Sequence, residues 1–283
     1  MRKMKTKLIG KRRKKRLEEL ARMADNDPLI NEIIKGKPVE KNRVYKFGLE
    51  PCDQAAELIE RVETEIGFER FGMLRRKLIR ASINSDNVKL SDNALLAVAY
   101  AGLKRREDAE MLIDDIKYHF GTKEKTVFDA LSRAFAYAYM GRGDTRKRIE
   151  NIETNCMQKD GFVSEIDFSV FTYNNALLAL DYSLLRMDKK ADNLLEKTRS
   201  RLMSDDDPSL FCHRLDQKHT SLSASTLMSL AYFAQGKDGS GLIEEVEKYI
   251  LDISYEIFQG ITNRDVAMAI AYMAREHYRK NEK

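Results

Sequence analysis

Tryptophan is absent from the 283 residues, and only three cysteines, four prolines and four histidines occur. Without indole to stack on a sugar ring, an α/α sugar-processing enzyme is disfavoured. Cys52, Cys156 and Cys212 are scattered and odd in number, which predicts free thiols in a reducing cytoplasm rather than a disulfide framework. With so little proline and 14 glycines, strand and turn punctuation is scarce and helix is favoured. No apolar run approaches the roughly 18 residues of a membrane span. No apolar stretch follows the first charges, as a secretory signal would require. The expectation is a cytoplasmic protein with no transmembrane segment.

Acid is missing from the first sixteen residues, "MRKMKTKLIGKRRKKR", which carry ten lysines or arginines. The whole chain is formally +5, so the rest stands at −5. This predicts a basic arm over residues 1–26 and a mildly acidic helical domain over residues 27–283. Lys11, Arg12, Arg13, Lys14, Lys15 and Arg16 are the densest cations, suited to nucleic acid or another polyanion by counterion release. No aromatic is interleaved, so base stacking by the arm is not expected.

The body repeats itself. "NALLAVAYAGLKRREDAEMLIDDI" begins at Asn93, and "NALLALDYSLLRMDKKADNLLEKT" begins at Asn175. Alanine-rich stretches ending in tyrosine recur at Tyr100, Tyr139, Tyr182, Tyr232 and Tyr272, in steps of 39, 43, 50 and 40 residues. Such a step fits one helical hairpin. The first helix of each pair is apolar nearly all round and belongs inside. The second carries one apolar stripe, as in Ala109, Leu112, Ile113 and Ile116, and belongs outside. The segments "PCDQAAELIERVETEIG" and "FERFGMLRRKLIRASI" are expected to supply one more helical hairpin. A helix from Pro28 is expected to pair with the last helix, near Tyr272. About six hairpins would then close an all-α, α/α toroid.

The helix pairs resemble tetratricopeptide-type repeats, although their steps are longer. The connection "CMQKDGFVSEIDFSVF" resembles the repeat of squalene cyclases and prenyltransferases, through Gln158, Asp160, Gly161 and Phe162. That resemblance implies an α/α toroid, and with it a terpenoid-cyclase-like enzyme acting on an apolar or isoprenoid-like substrate.

Several residues carry candidate chemistry. Asp160 and Asp167, in the same connection, and Asp181, in a slot that is Ala99, Ala138, Ala231 and Ala271 elsewhere, are candidate catalytic acids. The five tyrosines are expected to ring a central ligand cavity. Cys212, His213, Asp216 and His219 have the donor types for Zn, without a known zinc spacing. The connections Asp160–Phe171 and Asp205–His219 are expected to be neighbours at one mouth. The leading expectation is a helical-repeat binding or scaffolding protein with a nucleic-acid or protein partner. The toroid enzyme is the alternative.

Overall fold

A computed structural model describes residues 47–71, 76–82, 85–122, 124–252 and 262–282. The chain divides into units 1–45 and 46–283, and the second is described here. The basic arm, with Lys11 to Arg16, and the helix expected from Pro28 lie outside the described residues.

Alanine and leucine on every side dictate burial on every side. Nearly every residue of α2 (Leu90–Gly102), α6 (Thr172–Leu184) and α8 (Leu222–Ala234) is buried, as is most of α4 (Val127–Tyr139). The fifth such helix, α10 (Thr262–Asn281), buries Val266 through Ala271. The partners carry a single stripe. In α3 (Arg106–Phe120) it is Ala109, Leu112, Ile113 and Ile116, and in α7 (Asp188–Arg201) it is Ala191, Leu194, Leu195 and Thr198. Ile149 and Ile152 serve α5 (Thr145–Cys156), and Ile243 and Val246 serve α9 (Ser240–Asp252). The inner and outer layers expected from the pattern are therefore present.

Each inner helix packs on the next, α2 on α4, α4 on α6, α6 on α8 and α8 on α10. Helix α10 also packs against α2 and against α1 (Asp53–Arg61), which continues through a π-helical turn, Val62–Ile66. Among the described residues, α1 is thus a partner of the last helix. Five inner helices occur among the described residues, where six hairpins were expected. The expected helix through "FERFGMLRRKLIRASI" is instead an antiparallel ladder of β1 (Phe68–Phe71), β2 (Arg76–Ser82) and β3 (Ser85–Val88). Gly67, at φ +74°, ends the preceding helical turn, and Arg80 folds back onto the Ile66 carbonyl. A second hairpin, β4 (Cys212–Arg214) with β5 (Gln217–Thr220), lies between α7 and α8.

Neighbouring inner helices touch start to start and end to end. The Ser91 N–H donates to Asp129 at 3.1 Å at the starts of α2 and α4, and Gln235 donates to Ser183 at 2.6 Å at the ends of α8 and α6. The inner helices therefore run in one direction, with the long connections at their N-terminal ends. Across the other end lies the extended segment Phe47–Glu50. Phe47 meets the Tyr139 ring edge-on at 6.3 Å, and the Glu50 N–H donates to the Met273 carbonyl at 3.1 Å. A Cβ on Gly102 would stand 2.9 Å from Leu49 Cδ1 and from Met273 Sδ, so glycine lets this segment close onto α2.

Candidate functional site

The repeated asparagine has a structural task. Asn93 Oδ1 accepts from the Ile79 N–H at 2.8 Å, and its Nδ2 donates to the Ile79 carbonyl at 3.1 Å. Two repeats later, Asn175 grips Val163 the same way, at 2.9 and 3.1 Å. A primary amide offers donor and acceptor side by side, and so meets both polar groups of a single peptide residue. Each amide also donates back to its own helix start, at Lys89 and Phe171. In α8 the position is Ser225, whose hydroxyl accepts from the Phe211 N–H at 2.9 Å. In α4 it is Ala130. The connection before α4 is short, and there Arg133 donates to the Gly121 carbonyl at 2.9 Å.

The tyrosines stand at the opposite ends. Four inner helices close with a left-handed residue, Lys104, Gly141, Arg186 or Gly236. The next N–H donates back to the carbonyl of Tyr100, Tyr137, Tyr182 or Tyr232 at 2.8–2.9 Å. The repeat tyrosine of α4 is therefore Tyr137, not Tyr139, and Ala136 rather than Ala138 aligns with Asp181. Tyr100 donates to Glu63 at 2.6 Å, and Tyr182 donates to Glu153 at 2.5 Å. Arg105, Arg148, Lys190 and Arg275 lie over the rings of Tyr100, Tyr137, Tyr182 and Tyr272 at 4.3–5.4 Å. Burial and the glutamates push the Tyr100 and Tyr182 hydroxyls up. Tyr139 is pushed up to about 12 by burial, against the segment Phe47–Glu50.

Tyr100 and Tyr182 line separate cavities rather than one ring. The first, about 570 Å³, lies between α3, the π-helical turn and the β1–β2 ladder. The second, about 310 Å³, lies between α7, α5 and the connection at Gly161.

The two long connections meet, as their placement in the sequence suggested. The Leu215 N–H donates to the Val170 carbonyl at 3.0 Å, and Phe171 bridges to Arg214. Phe171 stacks on Tyr173 at 5.0 Å, and His213 stands edge-on to Phe171 at 5.2 Å. Phe128 joins Tyr173 at 4.9 Å. Partial desolvation on the side facing Phe171 and Tyr173, then Arg214, lowers the His213 pKa, although the residue is exposed on its other side. Ile166 and Phe168 project beyond this cluster, 88% and 78% exposed, from a turn in which Phe168 has φ +65°.

Contact between the connections does not assemble their acids and ligand-type residues. Asp160 pairs with Arg201 at 2.9 Å and accepts from the Phe162 N–H. Asp167 accepts from the Ser169 N–H at 3.0 Å, which holds its carboxyl below the ordinary range. Asp216 takes Arg214 with both oxygens, and His219 meets Asp206 at 3.2 Å. Alternation along β4 separates Cys212, buried beside Thr172, from exposed His213. Among the described residues, no group of three or more His, Cys, Asp or Glu side chains is placed to hold a metal ion. The three cysteines are free thiols, and burial raises the pKa of each.

Asp181 is different. It is wholly buried in α6, both its oxygens lack a hydrogen-bond partner, and burial raises its pKa well above the carboxylate range. Asp92, at the start of α2, is also buried. Its pKa rises to about 7, chiefly from burial, with Lys89 and Ser91 opposing.

No protein-family profile matches the sequence, and no curated protein matches it. Among solved structures, the chain is similar to the crystal structure of the Lin0763 protein from Listeria innocua. The TM-score is 0.51 at 12% identity, over 81% of this chain and 97% of that one. At that identity the likeness concerns the fold alone. The two chains share a mostly helical architecture. Among the described residues, no helix is long and apolar enough to cross a membrane.

Proposed function

We propose that the protein is a helical-repeat binding or scaffolding module built on a closed α/α toroid, with its basic arm contacting a polyanion such as RNA or DNA. Closure is supported by α10, which packs on both α8 and α2. The toroid class is supported by the resemblance to the cyclase and prenyltransferase repeat. Gln158, Asp160, Gly161 and Phe162 form the turn that Asn175 fastens at Val163. One observation carries the binding reading. The polar residues that a catalytic site at the mouth would draw on are engaged in holding connections to helices. Asp160 serves Arg201 and Phe162, Asp167 serves Ser169, and Glu165 serves the Val127 N–H and Asn174. A protein organised this way presents surfaces. The cytoplasm, with its thiol-reducing chemistry, suits the three free cysteines.

The test is affinity for single-stranded and duplex RNA and DNA, by fluorescence anisotropy, for the full chain and for a chain lacking residues 1–26. Binding that falls steeply with salt and disappears with the arm is the expected result. Equal affinity without the arm would move the contact to the body and remove this reading.

A second reading, an enzyme acting on an apolar or isoprenoid-like substrate, draws on Asp181. A neutral carboxyl, buried within α6 without a hydrogen-bond partner, is a proton donor of the kind carbocation chemistry uses. Incubation with prenyl diphosphates and linear polyprenes, with Asp181→Asn as control, tests it. Product formation lost in the variant would favour the enzyme.

A further inference from the structure

Hydrogen bonds fix the turn from Glu165 to Ser169 on every side. The Phe168 N–H donates to the Glu165 carbonyl and the Glu165 N–H to the Ser169 carbonyl, both at 3.0 Å. Gln158 donates to the Phe168 carbonyl at 3.1 Å, and Asp167 accepts from the Ser169 N–H. Within this frame Phe168 sits at φ +65°, a left-handed conformation that glycine or asparagine adopts at little cost and phenylalanine does not. Such strain persists only where the surrounding structure imposes it. The Phe168 side chain gains little from the fold in return, being 78% exposed, and Ile166 is 88% exposed. The turn therefore holds two large apolar side chains out in water, already set for a contact.

Beside this tip lies an aromatic shelf. Phe171 and Tyr173 are half-buried and His213 is exposed, with ring centroids 5.0–5.5 Å apart. The Arg214 guanidinium lies over the Phe171 ring at 5.8 Å. Asp216 takes its Nε and Nη2, and Ser169 stands 3.4 Å from Nη1, so two of the five N–H groups of the guanidinium are uncommitted. At the tip, Asp167 has the Ser169 N–H as its partner and makes no ion pair among the described residues. Arg214 of the same chain acts on its carboxyl from beyond ion-pair distance.

We propose that this face is the interface of a two-fold homodimer, in which Ile166 and Phe168 of each copy rest on the shelf of Phe171, Tyr173 and His213 of the other. Tip and shelf lie side by side, joined where Ser169 meets Arg214, so one patch supplies both halves of an isologous contact. Charge complementarity selects a second copy. The tip carries a carboxylate without an ion pair and the shelf a guanidinium with donors to spare, and the two-fold sets Asp167 of each copy toward Arg214 of the other. A bilayer would have to take in the Asp167 carboxylate between the two apolar side chains, and a nucleic-acid phosphate would be repelled by it. A foreign protein would have to bring a shelf of this kind, and the chain already carries one. The interface does not rest on the polyanion reading, which depends on residues 1–26.

Sedimentation velocity of the full chain over a concentration series is the test. The parent should show a monomer–dimer equilibrium. Ile166→Ser/Phe168→Asn should weaken it roughly tenfold or more with an unchanged circular dichroism spectrum, asparagine being suited to the left-handed turn. Asp167→Lys and Arg214→Glu should each associate weakly alone, because like charges then face each other across the axis. Mixed in equal amounts, these two variants should associate roughly tenfold more tightly than either alone, because each copy then meets opposite charge at both contacts. The proposal fails if the parent is monomeric at about 0.1 mM, or if the double variant dimerises as the parent does. It fails too if the mixture associates no more tightly than its components. Phosphatidylcholine vesicles that bind the parent and not the double variant would make a bilayer the occupant and overturn it as well.

Discussion

Asp181 occupies a slot that is alanine in the other four inner helices, and neither of its oxygens is bonded within the protein. A buried, unsatisfied polar group costs about 1–3 kcal/mol. Asp181→Ala should therefore raise the thermal midpoint, and a lowered midpoint would mean that the carboxyl has a stabilising partner. Asp92 makes a pH-dependent prediction. Its carboxyl keeps a proton up to about pH 7 when folded and releases it near pH 4 when unfolded. Between those values the native state binds more protons, so stability falls as pH rises, by at most about 1.4 kcal/mol per unit. Above pH 7 the contribution is flat. Urea midpoints from pH 4 to 8 should show this slope, and Asp92→Asn should remove it. Equal slopes in parent and variant would refute the assignment. At this scale the sequence was partly legible. Asp181 stood out because alanine surrounds it in the alignment. Tyr137 did not, because "AYAY" offers two tyrosines and only the left-handed turn at Gly141 selects between them.

Helices and connections differ in what fixes them. Apolar character on all sides identified the inner helices, and the 3.6-residue stripe identified the outer ones, because burial alone determines both patterns. The β1–β2–β3 ladder was not legible. Its residues lack strand alternation, and Leu78 and Ile79 are both buried. What orders that segment sits 14 residues further on, where Asn93 bonds both polar groups of Ile79. The same separation hid the disagreement at the proposed metal cluster, since strand alternation in β4, not sequence proximity, decides where Cys212 and His213 point. Asn175→Ala should cost about 2–3 kcal/mol in urea unfolding, because it strands the buried N–H and carbonyl of Val163. Asn175→Asp should restore less than half of that, since a carboxylate accepts from the N–H but repels the carbonyl. A loss under 0.5 kcal/mol for the alanine variant would show that the clip adds little.

Helix α10 is the piece on which the rest converges. It packs against α8, α2 and α1, and it receives Glu50 at Met273. A chain ending at Asp252 should lose the single cooperative transition, and amides of α1 and of residues 47–50 should exchange freely. If that shortened chain melted within a few degrees of the parent, α10 would be an accessory rather than a closing element. The same connectivity sets a schedule for synthesis. Lys280 meets Glu50 across a separation of 230 residues. At roughly 5–20 residues per second, a ribosome needs on the order of 10–45 seconds to travel that distance. Throughout that interval the faces of α1 and α2 that later rest on α10 are exposed on the nascent chain. The last stage of translation is thus the longest wait of these faces for their partner, and a chaperone that shields α1 and α2 until release should raise the yield of folded chain.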